Sequence, residues 1–357
     1  MKINNLLNWI KANQLEHLFE TNLNNIESLD LSNLELSSIP DEITMCKNLK
    51  HLNMSNNKIS KIPSEIGKLN RLEVLEARQT DINALPLSVK HLKALQTLDL
   101  SENRFTQIPP EIAEMTNLKT LHLSRNQIQE VPEAISSLHN LQALYLCRNA
   151  IKNLPAEIGS LIKLTHISLT ENQIQEVPDA IGELTNLSTL HLGNNPIKTI
   201  NPAIGKLSNL EELELWHTHL KRLPEEITNL TQLHTLHVFN SQLTALPSNI
   251  QNLSNLELLS IQGNRLKKIP TGIGLLFKLK YLNVSFNRLE TVPRTINNLT
   301  KLTELYLNHN MLQTLPVLNQ LKDLMRLRIN NNMLKGEPNW ITELPHLKTF
   351  RMYDNTA

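Results

Sequence analysis

A 23-residue period runs through the chain from Ile26 onward and limits what it can fold into. LKTLHLSRNQIQEVPEAISSLHN (Leu118 to Asn140) and LTHISLTENQIQEVPDAIGELTN (Leu164 to Asn186) are copies of one template. Counted from the first leucine, the template has Leu at slots 1, 4 and 6, Asn at 9, apolar residues at 11 and 14, Pro at 15, an apolar residue at 18 and Leu at 21. Repeats open at Ile26, Leu49, Leu72, Leu95, Leu118, Leu141, Leu164, Leu187, Leu210, Leu233, Leu256, Leu279, Leu302 and Leu324, and a partial fifteenth opens at Leu347. Only the thirteenth is one residue short, and thirteen of the seventeen prolines occupy slot 15. The eighth repeat has Asn201 there instead, with Pro202 one residue later.

Each slot has a physical task. Slots 3 to 7 alternate, so slots 4 and 6 lie on one side of a short strand and slots 3, 5 and 7 on the other. Leucine then faces inward and the variable residues outward. The slot-9 Asn carries both a donor and an acceptor, so it can satisfy backbone groups where the chain leaves the strand and link one repeat to the next. Proline at slot 15 fixes φ and removes an amide, which favours extended or tightly turned backbone on the return leg over a long helix. A single unit this small cannot bury enough apolar surface to fold alone, so the repeats must stack into a solenoid stabilised by nearest-neighbour contacts. Composition agrees: 69 Leu and 44 Asn make up almost a third of the 357 residues, while aromatics are only 4%. The core is therefore aliphatic. Before the repeats, Ile3, Leu6, Leu7, Trp9, Ile10, Leu15, Leu18 and Phe19 recur at helical spacing. Residues 1–25 are expected to be a helical N-terminal cap, and 26–357 the repeat domain.

Charge and hydropathy narrow the function. Thirty-five basic against 34 acidic side chains leave a net charge of +1, with no polybasic run for a nucleic-acid backbone or an anionic membrane. No stretch approaches the ~18 apolar residues of a membrane span. The first twenty residues lack the apolar run of a signal peptide. Cys46 and Cys147 are too few for disulfide-stapled caps, and they lie five repeats apart. A reducing compartment is expected.

The LPxxIxxLxxLxxLxLxxN phrasing, as in LPAEIGSLIKLTHISLTEN (Leu154 to Asn172), resembles the leucine-rich repeat family of the Ras-group and bacterial type, over about Ile26 to Asn355. The resemblance implies an α/β repeat fold: a curved horseshoe with a parallel sheet on its concave face and extended, 3-10 or short helical segments on its convex side. It also implies a non-enzymatic protein-binding module. Bacterial proteins of this type include effectors delivered into host cells, and the segment NWIKANQLEHLF is similar to their caps. The expected location is therefore the cytoplasm, of the cell itself or of a host. The alternative is a targeting or regulatory arm of an enzyme, such as a ubiquitin ligase, whose catalytic domain is not in this chain. TFRMYDNTA closes the chain on a strand without a polar cap. A monomer is expected, with edge-to-edge dimerisation through that edge as the alternative.

No motif for a cofactor stands out. Gly272, Ile273 and Gly274 make a lone GxG on a return leg, and HExxH, EF-hand and CxxC patterns are absent. His191, Glu214 and His237 share the outward slot-5 column, with His217 and His219 nearby. The two column histidines stand two strands apart, about 9.6 Å, an awkward span for one ion. A polar recognition patch is expected there, without metal. Nor does a strained nucleophile turn accompany the Ser, His and acidic residues of neighbouring columns.

The outward face is where function is expected. Slot 5 begins with Asp30, Glu76 and Asp99 and ends with Arg328 and Arg351, and Arg326 lies beside them at slot 3. Such charges orient a partner more than they hold it. Tyr145 and Tyr306 occupy slot 5, Trp216 and Phe239 slot 7, Tyr281 slot 3 and Phe286 slot 8. Aromatic and Arg side chains are the usual energetic anchors of protein interfaces. The candidate partner-binding set is Tyr145, His191, Glu214, Trp216, His217, His237, Phe239, Tyr281, Phe286, Tyr306, Arg326, Arg328 and Arg351, centred on repeats nine to thirteen. Slot 9 departs from Asn at Leu34, Thr80, Thr218 and Ser241. The last two fall beside Trp216 and Phe239, and regular repeat chemistry gives way where a site is built.

Overall fold

A computed structural model describes residues 2–16 and 22–355. The chain divides into two compact units, Met1–Asn172 and Gln173–Ala357. The first holds helix α1 (Lys2–Ala12) and strands β1 (Ser28–Asp30), β2 (His51–Asn53), β3 (Val74–Glu76), β4 (Thr97–Asp99), β5 (Thr120–His122), β6 (Ala143–Tyr145) and β7 (His166–Ser168). The second holds β8 (Thr189–His191), β9 (Glu212–Glu214), β10 (Thr235–His237), β11 (Leu258–Ser260), β12 (Tyr281–Asn283), β13 (Glu304–Tyr306), β14 (Arg326–Arg328) and β15 (Thr349–Arg351). Within each unit the strands lie in chain order, and neighbours pair in parallel. The register advances by one repeat each time, as in Leu29 opposite Leu52 and Leu213 opposite Leu236.

Each strand covers only slots 3 to 5, but backbone pairing continues past it. Leu31 N donates to Asn53 O at 2.7 Å, and Asn56 N to Arg78 O at 2.8 Å. The slot-4 and slot-6 residues are buried throughout both units up to β14, from Leu29 and Leu31 to Leu327 and Ile329. Proline at slot 15 introduces the return leg. In Asp41–Met45 and its counterparts the Pro carbonyl accepts the first bond of a five-residue 3-10 helix, for example from Ile43 N to Pro40 O at 3.1 Å. Asn201 does the same work by another route, its side chain capping Ala203 N at 2.9 Å. The short thirteenth repeat has no 3-10 helix after Pro316 among the described residues.

The slot-9 Asn stitches the repeats together. Asn57 Oδ1 accepts from Leu36 N (2.9 Å) and Leu34 N (3.1 Å), while its Nδ2 donates to Leu31 O (2.7 Å), Met54 O (2.9 Å) and Ser55 O (3.1 Å). One amide thus serves its own turn and the repeat before it. Asn103, Asn126, Asn149 and Asn172 repeat the pattern in the first unit, and Asn264, Asn287, Asn310 and Asn332 in the second. Asn355 of the partial last repeat still accepts from Asn332 N at 3.0 Å.

Slot 8 carries a feature that the sequence hides. It is left-handed in all fifteen repeats, from Asn33 (φ 59°) to Asp354 (φ 53°), yet only Gly263 is a glycine there. Gln79, Glu102, Arg125, Glu171 and even Phe286 accept this conformation, which costs roughly 1–2 kcal/mol for an ordinary residue. Backbone pairing to the next repeat accompanies it, as from Gln79 N to Ser101 O at 2.9 Å and from His217 N to Phe239 O at 2.8 Å.

In the cap, Leu6, Ile10 and Leu15 are buried and Leu7 is exposed. Trp9 Nε1 donates to Ser38 O at 3.1 Å, tying α1 to the first repeat. Leu18, Phe19 and the side chain of Ile3 lie outside the described residues. Cys46 is buried in the core, and burial pushes its thiol up to about 11. Cys147 is free and half-buried, its Sγ 2.8 Å from Ser168 Oγ. No described helix is long and apolar enough to cross a membrane.

The stitching predicts a large cost for a small change. Asn287→Ala removes four bonds to Leu266 N, Ile261 O, Val284 O and Ser285 O and leaves buried backbone groups unpaired, so it should destabilise the second unit by about 3 kcal/mol or more. Urea denaturation checks this, and an unchanged midpoint contradicts it.

Candidate functional site

The outward slots and strand exits of β8 to β10 bring six of the thirteen candidate residues together: His191, Glu214, Trp216, His217, His237 and Phe239. Trp216 and Phe239 follow β9 and β10 by two residues, so their rings project from neighbouring repeats. They stack with centroids 5.7 Å apart and planes 5° from parallel. His217 stands edge-on to both, at 5.4 Å and 6.0 Å, and His237 meets Phe239 edge-on at 5.9 Å. Offset stacks and edge contacts of this kind add roughly 0.5–1.5 kcal/mol beyond area burial. Trp216 Nε1 donates to Glu214 Oε2 at 3.1 Å, and Asn240 Nδ2 donates to His217 Nε2 at 2.7 Å.

Two features make room for the stack. Slot 7 of the preceding repeat is Gly193, where a Cβ would stand 2.3 Å from Trp216 Cε2. The indole lies where a side chain would have been. At slot 9, Thr218 and Ser241 replace the amide ladder with a hydroxyl relay. Thr218 N donates to Ser241 Oγ (3.2 Å), the two hydroxyls lie 2.8 Å apart, and Thr218 Oγ1 donates to Leu215 O (3.0 Å). The cross-repeat link survives with fewer bonds.

The remaining candidates form separate groups. Tyr281 and Tyr306 meet at 5.5 Å, and the Arg328 guanidinium lies 5.1 Å from the Tyr306 ring centre, a cation–π contact. Tyr306 Oη donates to Glu304 Oε2 at 2.5 Å. Burial first, then that bond and the carboxylate charge, push its hydroxyl up to about 12. Arg326 is committed to Glu304 rather than free. Phe286 stacks on His309 at 4.0 Å and remains 54% exposed, and Arg351 on β15 is exposed. Tyr145 belongs to the first unit, stacked at 4.5 Å on His122. His122, His309 and Gly193 went unnoticed in the sequence because each acts through the slot occupant of an adjacent repeat.

The His191 column also regroups. One ring nitrogen of His191 and one carboxylate oxygen each of Glu212 and Glu214 lie within 4.8 Å of one another, the only such metal-ligand group among the described residues. Glu212 sits at slot 3, outside the column, and a reading by columns passes over it. His237 is not in the group. Its imidazole is held below the ordinary value of about 6.5 by burial, against the opposing pull of Glu214 and Glu212 and with His191 adding to the fall. His122 is lowered by burial too, opposed by Asp99 and Glu76, with Arg78 adding to the fall.

The comparisons with known proteins fit this architecture. The leucine-rich repeat region family matches residues 72–147, 113–214 and 198–276, and the leucine rich repeat family matches 22–82 and 254–312. The chain belongs to the leucine-rich repeat family, and its fold is the leucine-rich-repeat solenoid. It is 30% identical to a Leptospira interrogans leucine-rich repeat protein of solved structure, with a TM-score of 0.80, covering 95% of this chain and 97% of that one. An internalin from Listeria monocytogenes is 25% identical (TM-score 0.72, covering 92% and 87%). A plant peptide hormone receptor in complex with RGF2 is also 25% identical (TM-score 0.73, covering 96% and 64%). No curated protein matches the chain in sequence.

Two outcomes follow. Gly193→Ala should push the indole off Phe239 and Glu214, and near-ultraviolet circular dichroism of the variant should lose the stack's signal; an unaltered spectrum contradicts the packing. The folded chain resists protonating His122 and His237, whereas the unfolded chain takes up those protons near the ordinary value. Stability should therefore fall as pH drops below about 6.5. In the His122→Gln/His237→Gln variant, melting temperature should fall less between pH 7.5 and 5.5 than in the parent. Equal slopes would discount both histidines.

Proposed function

We propose that the chain is a non-enzymatic recognition module that holds a partner protein on the outward strand face of its second unit, over repeats nine to thirteen. The observation that carries this reading is the Trp216–Phe239 stack with its edge-on histidines. It stands where Gly193 clears space and where Thr218 and Ser241 carry the cross-repeat link with hydroxyls in place of the amide. Outward slots have no packing duty toward the core, so rings placed there add nothing to the aliphatic interior. Large amphipathic rings with polar tips are what interface anchors consist of.

The Tyr281–Tyr306–Arg328 group is a second anchor farther along the same unit. Because Arg326 is occupied by Glu304, the cations that orient an acidic partner segment are Arg328 and Arg351. Support from relatives is at the level of mode. The plant receptor is in complex with RGF2, and the Leptospira and Listeria proteins are bacterial. We read this chain as a bacterial effector that binds a host protein in the host cytosol, and its two free cysteines suit a reducing compartment.

Replacing Trp216, Phe239 and Tyr281 together by Ala should abolish capture of the partner from host-cell lysate while shifting the melting temperature little. Undiminished capture by that variant would remove this face from the binding site.

A further inference from the structure

Beside the aromatic stack, and independent of what docks there, lies a group of side chains with the donor set of a metal centre. We propose that His191, Glu212 and Glu214 bind one divalent transition-metal cation, and that the fitting ion is Zn2+. Parallel pairing sets His191 opposite Glu214 and Thr189 opposite Glu212, so two adjacent strands aim all three ligands into one space. Their ligand atoms lie within 4.8 Å of one another, and His191 Nε2 is 3.4 Å from Glu212 Oε1. Ligands about 2.0–2.1 Å from a tetrahedral ion stand roughly 3.4 Å apart, so one edge of the polyhedron is already formed. The other two edges, within 4.8 Å, close by small shifts of the three side chains about the ion.

Three further observations point to a cation. His191 Nε2 is closed off from solvent, yet it makes no hydrogen bond despite facing two carboxylates. A buried polar atom left without a partner is unfavourable, and a bound ion would satisfy it. Among the described residues, neither glutamate has a Lys or Arg at ion-pair distance, and Glu212 meets only His191. Elsewhere in the same unit Glu257 pairs with Lys280, and Glu304 with Arg326. Two adjacent carboxylates without a basic partner carry the charge that one divalent ion neutralises. Glu214 is also pre-oriented, because Trp216 Nε1 holds its Oε2 and leaves Oε1 for the ion.

The donor types select the ion. An imidazole nitrogen disfavours Ca2+ and Mg2+, which take oxygen ligands, whereas one nitrogen and two carboxylate oxygens with a fourth position open suit Zn2+. That fourth position takes water, or a carboxylate or imidazole of a docked protein.

Calorimetric titration of the full chain with zinc chloride, and separately with calcium chloride, at pH 7.5 tests the site. One Zn2+ per chain is expected, with Ca2+ at least tenfold weaker. Glu212→Gln and His191→Gln should each weaken Zn2+ binding by more than about 100-fold, beyond what loss of an outer-shell partner costs, while Glu257→Gln leaves it unchanged. Metal-free melting curves of the variants check that each is folded. Absence of stoichiometric uptake, uptake unaltered by both ligand variants, or Ca2+ bound as tightly as Zn2+ would overturn the assignment.

Discussion

A single side-chain amide at slot 9, present in eleven of the fifteen repeats, holds this solenoid in register. The slot-9 Asn accepts from the backbone of the preceding repeat and donates both to that repeat and to its own turn, as Asn57 and Asn310 do. These bonds lie inside an aliphatic core, where an unpaired backbone group is expensive and a satisfied network is correspondingly rigid. The left-handed slot-8 turn precedes them and persists at His217 and Asn240, where hydroxyls replace the amide. Because its N–H pairs with the next repeat, as at Glu102 and Phe286, slot 8 tolerates Arg, Glu and Phe as well as glycine. The same turn projects Phe286 and His217 from the strand exits, where each meets a neighbouring ring.

The repeat separates stability from recognition. Slots 4, 6, 11, 14, 18 and 21 face the core and vary little, so slots 3, 5 and 7 are free to carry chemistry. In parallel, in-register pairing each outward residue lies one strand spacing, about 4.8 Å, from its counterpart in the next repeat. That distance suits ring stacking, so aromatics in successive repeats meet as Trp216 and Phe239 do, or His122 and Tyr145. It also suits shared ligation between neighbouring strands, as at His191, Glu212 and Glu214. Rings two repeats apart do not meet directly, which is why the outward aromatics fall into distinct groups.

Much of this was legible in the sequence. The period, the leucines of slots 4 and 6, the prolines of slot 15 and the asparagines of slot 9 each pointed to a structural role, and those roles were found. Proline as the start of a return leg became proline as the acceptor of a 3-10 helix, and at the eighth repeat Asn201 caps in its place. Residues that act across repeats were not legible. Gly193 reads as an ordinary small slot-7 residue until the indole of the next repeat is laid over it. Glu212 reads as a solvated charge until its strand is paired with β8, and Arg326 as a free cation until Glu304 is found beside it.

The sequence by itself determined the solenoid, because a strict period of leucine, asparagine and proline leaves one way to bury the leucines and pair the backbone. It also determined which columns face outward, since alternation along a strand is local geometry. Only the tertiary structure decided which outward residues act together. Rotamers and adjacent-repeat contacts, rather than column membership, bring Trp216 onto Gly193, Tyr306 between Glu304 and Arg328, and His191 against two glutamates. Such pairings depend on distances of a few ångströms between side chains some 23 residues apart, and a one-dimensional pattern does not carry those distances.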